Sequence, residues 1–407
     1  MIDLQVDRSW EEHQLVTSLL IAFCFWLVAF VGYLSFSDRS NEREMRTVVT
    51  VDHRTGAAVV ALCVGLAWVF LLSTVFAGEG FRPFLGNQQN EARFGAGHFF
   101  ILQDLYMYAF VAYAGAMSSQ RPSGSMGLSF KVTVVAIVAT ALIMTIAASS
   151  RRHASTAIFV LVCLFLLRRR RGGALAILAI VGTIFAAPLL DAFRYIDISQ
   201  VDGSLLSIAN VFSPVLEARR FWTSLSSSFE GVDHLGAFME TAGMGGLLIG
   251  VDGGVAWSFN TVLALVPRFL WESKPELYGS VAEQFYLYPW MYSSGPATTT
   301  LPPSFVVDLS YGFGIIVGLM LAFILGRALR VLSVQLWSLN RNVAVRAIPL
   351  FVFVNTFNVV RGGTGFLQSV VIFVIVACFV IGFRPMGGEV ARLVRLVVLP
   401  MRARERK

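Results

Sequence analysis

The stretch FVVDLSYGFGIIVGLMLAFIL, Phe305–Leu325, holds twenty-one residues and a single charge, Asp308. A hydrophobic run of this length matches the thickness of a bilayer's hydrocarbon core, since roughly 20 helical residues cross about 30 Å. The whole chain shares this character. Of its 407 residues 56% are hydrophobic and only 14% charged, with a mean hydropathy of +0.70. A soluble core has no room for so much apolar surface.

Working outward, further runs of span length occur at 14–36, 56–78, 99–117, 129–148, 154–167, 172–189, 344–360 and 366–383, besides 305–329. The fifth is short, and flanking arginines that snorkel let it cross. The expected fold is all-α: a polytopic integral membrane protein of about 9–11 transmembrane helices. Residues 1–189 form the N-terminal helices, 190–304 a large extracytoplasmic loop, 305–383 the C-terminal helices and 384–407 a basic cytoplasmic tail. Within the loop, the semi-apolar stretch 242–271 is broken by Asp252, Gly253 and Gly254. It reads as a re-entrant or interfacial helix rather than another crossing. The start, MIDLQVDRSWEEHQ, is acidic and lacks a basic n-region, so no cleavable signal peptide is expected. The four cysteines all fall in apolar runs and read as small core side chains.

Sidedness follows from basic residues in short loops. The run Arg168–Arg171 marks the cytoplasm, as do Arg330, Arg341 and Arg346 and the tail after Arg384. Alternation then puts the N-terminus outside. It also puts Arg93, Arg151, Arg152, Arg268 and Arg361 outside, where short loops are usually depleted in arginine. Arg361 sits in a five-residue turn, Arg361-Gly-Gly-Thr-Gly365, and Arg151-Arg152 follow Ser149-Ser150 at the start of a span. Any one of these can pair with a lipid headgroup. As a set they suit an anion site, because guanidinium groups bind phosphate oxygens bidentately and a helix N-terminus adds its own N–H groups.

Two carboxylates fall within spans, Asp104 and Asp308, and ionisable groups at such depth are functional-site hypotheses. Asp104 serves equally well as the partner of a neighbouring helix's arginine. His153 and His234 fall outside and are further candidate bases, although a lone histidine is more often structural. No P-loop, dinucleotide fingerprint, HExxH, GxSxG or paired-carboxylate DxD motif occurs. No cofactor and no metal are expected, and nothing points to a nucleic-acid partner.

Five short stretches carry a resemblance to a family. They are Arg93-Phe-Gly-Ala-Gly97; Ser149-Ser150-Arg151; Val266-Pro267-Arg268-Phe-Leu-Trp-Glu-Ser-Lys274-Pro275; Asp308-Leu-Ser-Tyr311-Gly-Phe-Gly314; and Arg361-Gly362. Together with the architecture they resemble the bacterial oligosaccharide repeat-unit polymerases (O-antigen, Wzy-type), membrane glycosyltransferases of the GT-C kind. The family more often has Glu where this chain has Asp308. The resemblance implies that polyprenyl-diphosphate-linked oligosaccharides, such as undecaprenyl diphosphate derivatives, meet on the outer face of the bacterial cytoplasmic membrane. The hydroxyl of one attacks the anomeric carbon of the other, and polyprenyl diphosphate leaves. It implies diphosphate and substrate binding by Arg93, Arg151, Arg152, Arg268, Lys274, Tyr311 and Arg361. The base would be Asp308, Glu283 or His153, in that order of preference. Membrane lipids, a chain-length regulator and a flippase are the implied partners. An O-antigen ligase shares this architecture; a lipid-linked oligosaccharide flippase would show repeated halves and no long loop.

The assigned sidedness has a direct check. Alkaline phosphatase fused at Gly363 or within 190–304 is expected to be active, and fused after Arg341 inactive. The reverse pattern would remove the outer arginines from consideration.

Overall fold

The computed structural model describes residues 12–35, 53–77, 100–118, 128–147, 153, 156–163, 231–251, 254, 305–337, 343–355 and 364–382, with isolated positions between 387 and 397. Among them every regular element is helical and none is a strand. The helices are α1 (Glu12–Leu34), α2 (His53–Ala77), α3 (Phe100–Ser118), α4 (Leu128–Ala147), α5 (Gly231–Ile249), α6 (Phe305–Trp337), α7 (Val343–Val354) and α8 (Thr364–Ile381). Residues 156–163 are also helical. Three of the described helices are long and apolar enough to cross a membrane, over Val16–Leu34, Arg54–Leu72 and Phe305–Leu336. The expected span at 172–189 lies outside the described residues, as does 255–271 of the expected re-entrant stretch. The helical part of that stretch starts earlier than expected, at Gly231.

The chain divides into two compact units. One comprises Met1–Ser37, Phe229–Arg330 and Phe357–Gln368, the other Asp38–Ser228, Val331–Thr356 and Ser369–Lys407.

In the first unit α1, α5 and α6 enclose an apolar core of Phe25, Ala29, Leu235, Phe238, Leu247, Val307 and Leu309. The opposite face of α1 exposes Leu20, Phe23, Phe30 and Leu34, each more than half accessible. Water would not tolerate such a face, whereas lipid chains solvate it. On the inner side α1 and α6 run parallel and touch backbone to backbone. A Cβ on Gly32 would collide with the carbonyl oxygen of Phe323, and one on Gly326 with that of Ala29. Small residues let helices approach this closely where there is no hydrophobic drive to hold them together. The cytoplasmic ends expected for both helices meet as well. Arg330 Nη1 donates to Tyr33 Oη at 3.3 Å, and its guanidinium lies 5.1 Å from the Tyr33 ring centroid.

The stretch that opened the sequence reading departs from a single straight crossing. Gly314 has φ 75° and ψ 172°, a conformation open in practice only to glycine. There the chain reverses. Leu309 Cβ stands 3.6 Å from where a Cβ on Gly318 would be, although nine helical residues span about 13.5 Å along an axis. Phe305–Phe313 therefore folds back on the segment that follows, and every side chain from Phe305 to Tyr311 is buried. Residues 315–336 alone retain a bilayer-crossing length of about 33 Å. Gly243 in α5 adopts a similar conformation, φ 61° and ψ −174°.

In the second unit α3 is central: from Tyr106 to Ala116 every side chain is buried. Ala347 of α7 packs on Gly115, where a Cβ would lie 2.6 Å from Ala347 Cα. Arg346 Nη1 donates to the carbonyl of Ser118 at 2.7 Å, capping the end of α3, where carbonyls lack helical partners. Trp68 of α2 donates to Thr140 of α4 at 3.1 Å. Phe351 and Phe373 stack with centroids 4.1 Å apart, joining α7 to α8.

The reversal at Gly314 supplies a test of the fold. Gly314→Ala forces a strained backbone, costing about 1–3 kcal/mol, and drives a methyl into the Leu248 carbonyl. Gly65 has open space around it, so Gly65→Ala should leave stability unchanged or slightly raised. Thermal unfolding in detergent should separate the two variants clearly. Equal melting temperatures would contradict the reversal.

Candidate functional site

Of the candidate site residues, Asp308, Tyr311 and His153 fall within the described structure. Arg93, Arg151, Arg152, Arg268, Lys274, Glu283 and Arg361 lie outside the described residues, and the side chain of His234 likewise.

Asp308 and Tyr311 share the buried arm of α6. Asp308 is 3% exposed and stands in the first turn of its helix, where free N–H groups and the helix dipole favour a negative charge. Tyr311 packs edge-on against Phe238 of α5, with centroids 6.1 Å apart. Its carbonyl, released from the helical ladder by the reversal, accepts the N–H of Val251 at 2.7 Å. Close passage of Gly250 beside Gly312 and Gly314 makes this bond possible. The arm thus holds a carboxylate and a phenol one turn apart, both enclosed by protein. A base must reach its proton within hydrogen-bond distance, and the enclosure of Asp308 separates it from any sugar hydroxyl in this conformation.

The second unit assembles a different set. His153, 2% exposed, meets two residues of α3. Its Nδ1 lies 2.9 Å from Tyr106 Oη, and its Nε2 lies 3.6 Å from Asp104 Oδ1. The Tyr106 and His153 rings are nearly parallel, 5° between planes with centroids 5.8 Å apart. A carboxylate facing Nε2 favours a proton on that nitrogen, and Nδ1 then accepts from the Tyr106 hydroxyl. Tyr106 is fully buried, whereas the Asp104 side chain keeps 23% of its surface accessible. The chain Tyr106–His153–Asp104 therefore runs from the interior to an accessible carboxylate.

Sequence reasoning singled out Asp104 and His153 separately and missed their pairing, along with Tyr106. The depth of each was a usable signal. Asp104 is the fifth residue of α3 and His153 stands three residues before a helical stretch, so the alternation of spans expected from the sequence would put both near the same membrane face. Among the described residues Asp104 faces a histidine, His153.

Comparison with family models, with curated proteins and with solved structures finds no match to this chain.

The Tyr106 hydrogen bond can be weighed directly. Tyr106→Phe removes a buried hydroxyl from His153 and should lower stability by about 1 kcal/mol or somewhat more. Tyr108→Phe, which removes a longer 3.3 Å bond to Ser369, should cost less. Paired thermal melts in detergent check the order.

Proposed function

We propose that this chain is a metal-independent membrane glycosyltransferase that polymerises polyprenyl-diphosphate-linked oligosaccharide repeat units on the outer face of the bacterial cytoplasmic membrane. The observation that carries the reading is the Tyr106–His153–Asp104 chain, a proton-handling group at the end of α3 that the alternating spans assign to the outer face. It supplies what attack by a sugar hydroxyl requires, and in the sequence it adjoins arginines suited to the leaving diphosphate. Arg151 and Arg152 immediately precede His153 in the chain.

The basic residues expected outside, namely Arg93, Arg151, Arg152, Arg268, Lys274 and Arg361, are each suited to diphosphate oxygens. Their fixed charge offsets the negative charge that develops as the carrier departs. The spans provide an apolar path for the polyprenyl chain. Asp308 and Tyr311, enclosed as they are, act in this reading by holding the arm of α6 rather than by touching the sugar. The family resemblance of five short stretches supports polymerase over flippase, as does the long segment 190–304.

Arg151→Ala and Arg268→Ala are each expected to abolish long polymer while the protein still inserts, seen as loss of the glycan ladder on gels of cell-envelope extracts. Normal ladders from both would defeat the assignment of diphosphate binding. A null strain should keep single repeat units on their acceptor. Loss of all attached glycan would instead identify a ligase.

A further inference from the structure

We propose that the end of the α1–α6 seam binds an anionic phospholipid of the bilayer, its phosphate on Arg327 and Arg330 and an acyl chain along α6; the site does not depend on the polymerase reading. The sequence puts the two arginines at headgroup level. No charged residue occurs from Gln14 to Ser37, so the apolar length of α1 runs out close to Tyr33. Arg330 meets that tyrosine twice, through the 3.3 Å hydrogen bond from Nη1 and through the ring face at 5.1 Å. Its guanidinium is therefore held at the depth where a lipid phosphate lies. Arg327 precedes it by one turn of α6, close enough for both to reach one phosphate.

Arg327 differs from Arg330 in its surroundings. Its Nε is buried and meets no hydrogen-bond partner among the described residues. Neither α6 beyond Asp308 nor the stretch from Gln14 to Ser37 carries an acid to answer its charge. A buried donor on a charged group is costly until an acceptor is supplied. A phosphate takes Nε–H and an Nη–H together in one planar contact. The helix surface leading to Arg327 suits the rest of a lipid. Ile316, Met320 and Ile324 are 63%, 63% and 47% exposed. Their spacing toward Arg327 makes one stripe along α6. A free anion would use the arginines and ignore the stripe, whereas a phospholipid uses both. Two guanidinium groups also repel a choline head, so a lipid of net negative charge is preferred to a zwitterionic one.

The purified full-length chain in dodecyl maltoside, titrated with dioleoyl phosphatidylglycerol and followed by native mass spectrometry, provides the test. Wild-type protein should retain phosphatidylglycerol more tightly than dioleoyl phosphatidylcholine. Arg327→Gln should weaken phosphatidylglycerol about tenfold, the size of one charged hydrogen bond. Arg341→Gln, a change in the basic loop expected after α6, should bind as wild type does. Inorganic phosphate at the concentration of the lipid should not displace it, because it has no chain to lie on the stripe. Folding is monitored by size exclusion. If Arg327→Gln does not elute as folded protein, Arg327→Lys is measured in its place. It keeps the charge, loses the planar fork and should bind more weakly than wild type. Wild-type affinity in a folded Arg327 variant overturns the assignment, as does equal retention of the two phospholipids. An equal loss in Arg341→Gln, or displacement by inorganic phosphate, overturns it as well.

Discussion

A backbone carbonyl that leaves its helix inside an apolar core has no water to turn to, and an unsatisfied one costs about 1–3 kcal/mol or more. The carbonyl of Tyr311 is in this position because the chain reverses at Gly314, and the N–H of Val251 meets it at 2.7 Å. Much of the first unit follows from that bond. The end of α5 must come to the reversal, so Gly250 passes against Gly312 and Gly314 where side chains would collide. With α5 held there, Phe238 and Leu247 join Phe25 and Leu309 in one core, and the arm bearing Asp308 is enclosed. Irregular backbone at membrane depth is tolerated where protein covers it. The first unit is built around such a place.

The second unit answers the same constraint differently. Its central helix α3 is unbroken and buried along most of its length, and its polar needs concentrate at the two ends. Arg346 caps the carbonyl of Ser118 at one end. At the other, His153 stands between Tyr106 and Asp104. A carboxylate near a membrane helix end is costly unless a donor faces it, and the imidazole of His153 faces Asp104.

Much of this was legible in the sequence. The apolar runs at 99–117 and 129–148 appear as the helices α3 and α4 over Phe100–Ser118 and Leu128–Ala147, because a long apolar run without breakers favours a helix. The reversal at Gly314 was not legible. Glycine in an apolar run has two uses, and letters do not separate them. Gly32 and Gly326 admit a neighbouring helix within a regular backbone, whereas Gly314 turns the chain. The pairing of Asp104 with His153 was half legible. Each residue stood out as polar beside apolar neighbours, yet two intervening helical crossings hide their contact, and Tyr106 looks like any interfacial aromatic. For the seven candidate residues outside the described structure, sequence remains the source of their assignment.

The close seam between α1 and α6 bears on how the protein is made. Gly32 meets Phe323, yet 323 − 32 = 291 residues separate them in the chain. At a synthesis rate of about 5–20 residues per second, α1 waits roughly 15–60 s for its partner to leave the ribosome. During that interval the face of α1 around Gly32 lacks its α6 partner. Its sequence from Leu15 to Leu34 contains no charged residue, which makes such a wait tolerable. The seam is therefore a late event of assembly, and the face of α1 that ends up against protein first has to be acceptable to acyl chains.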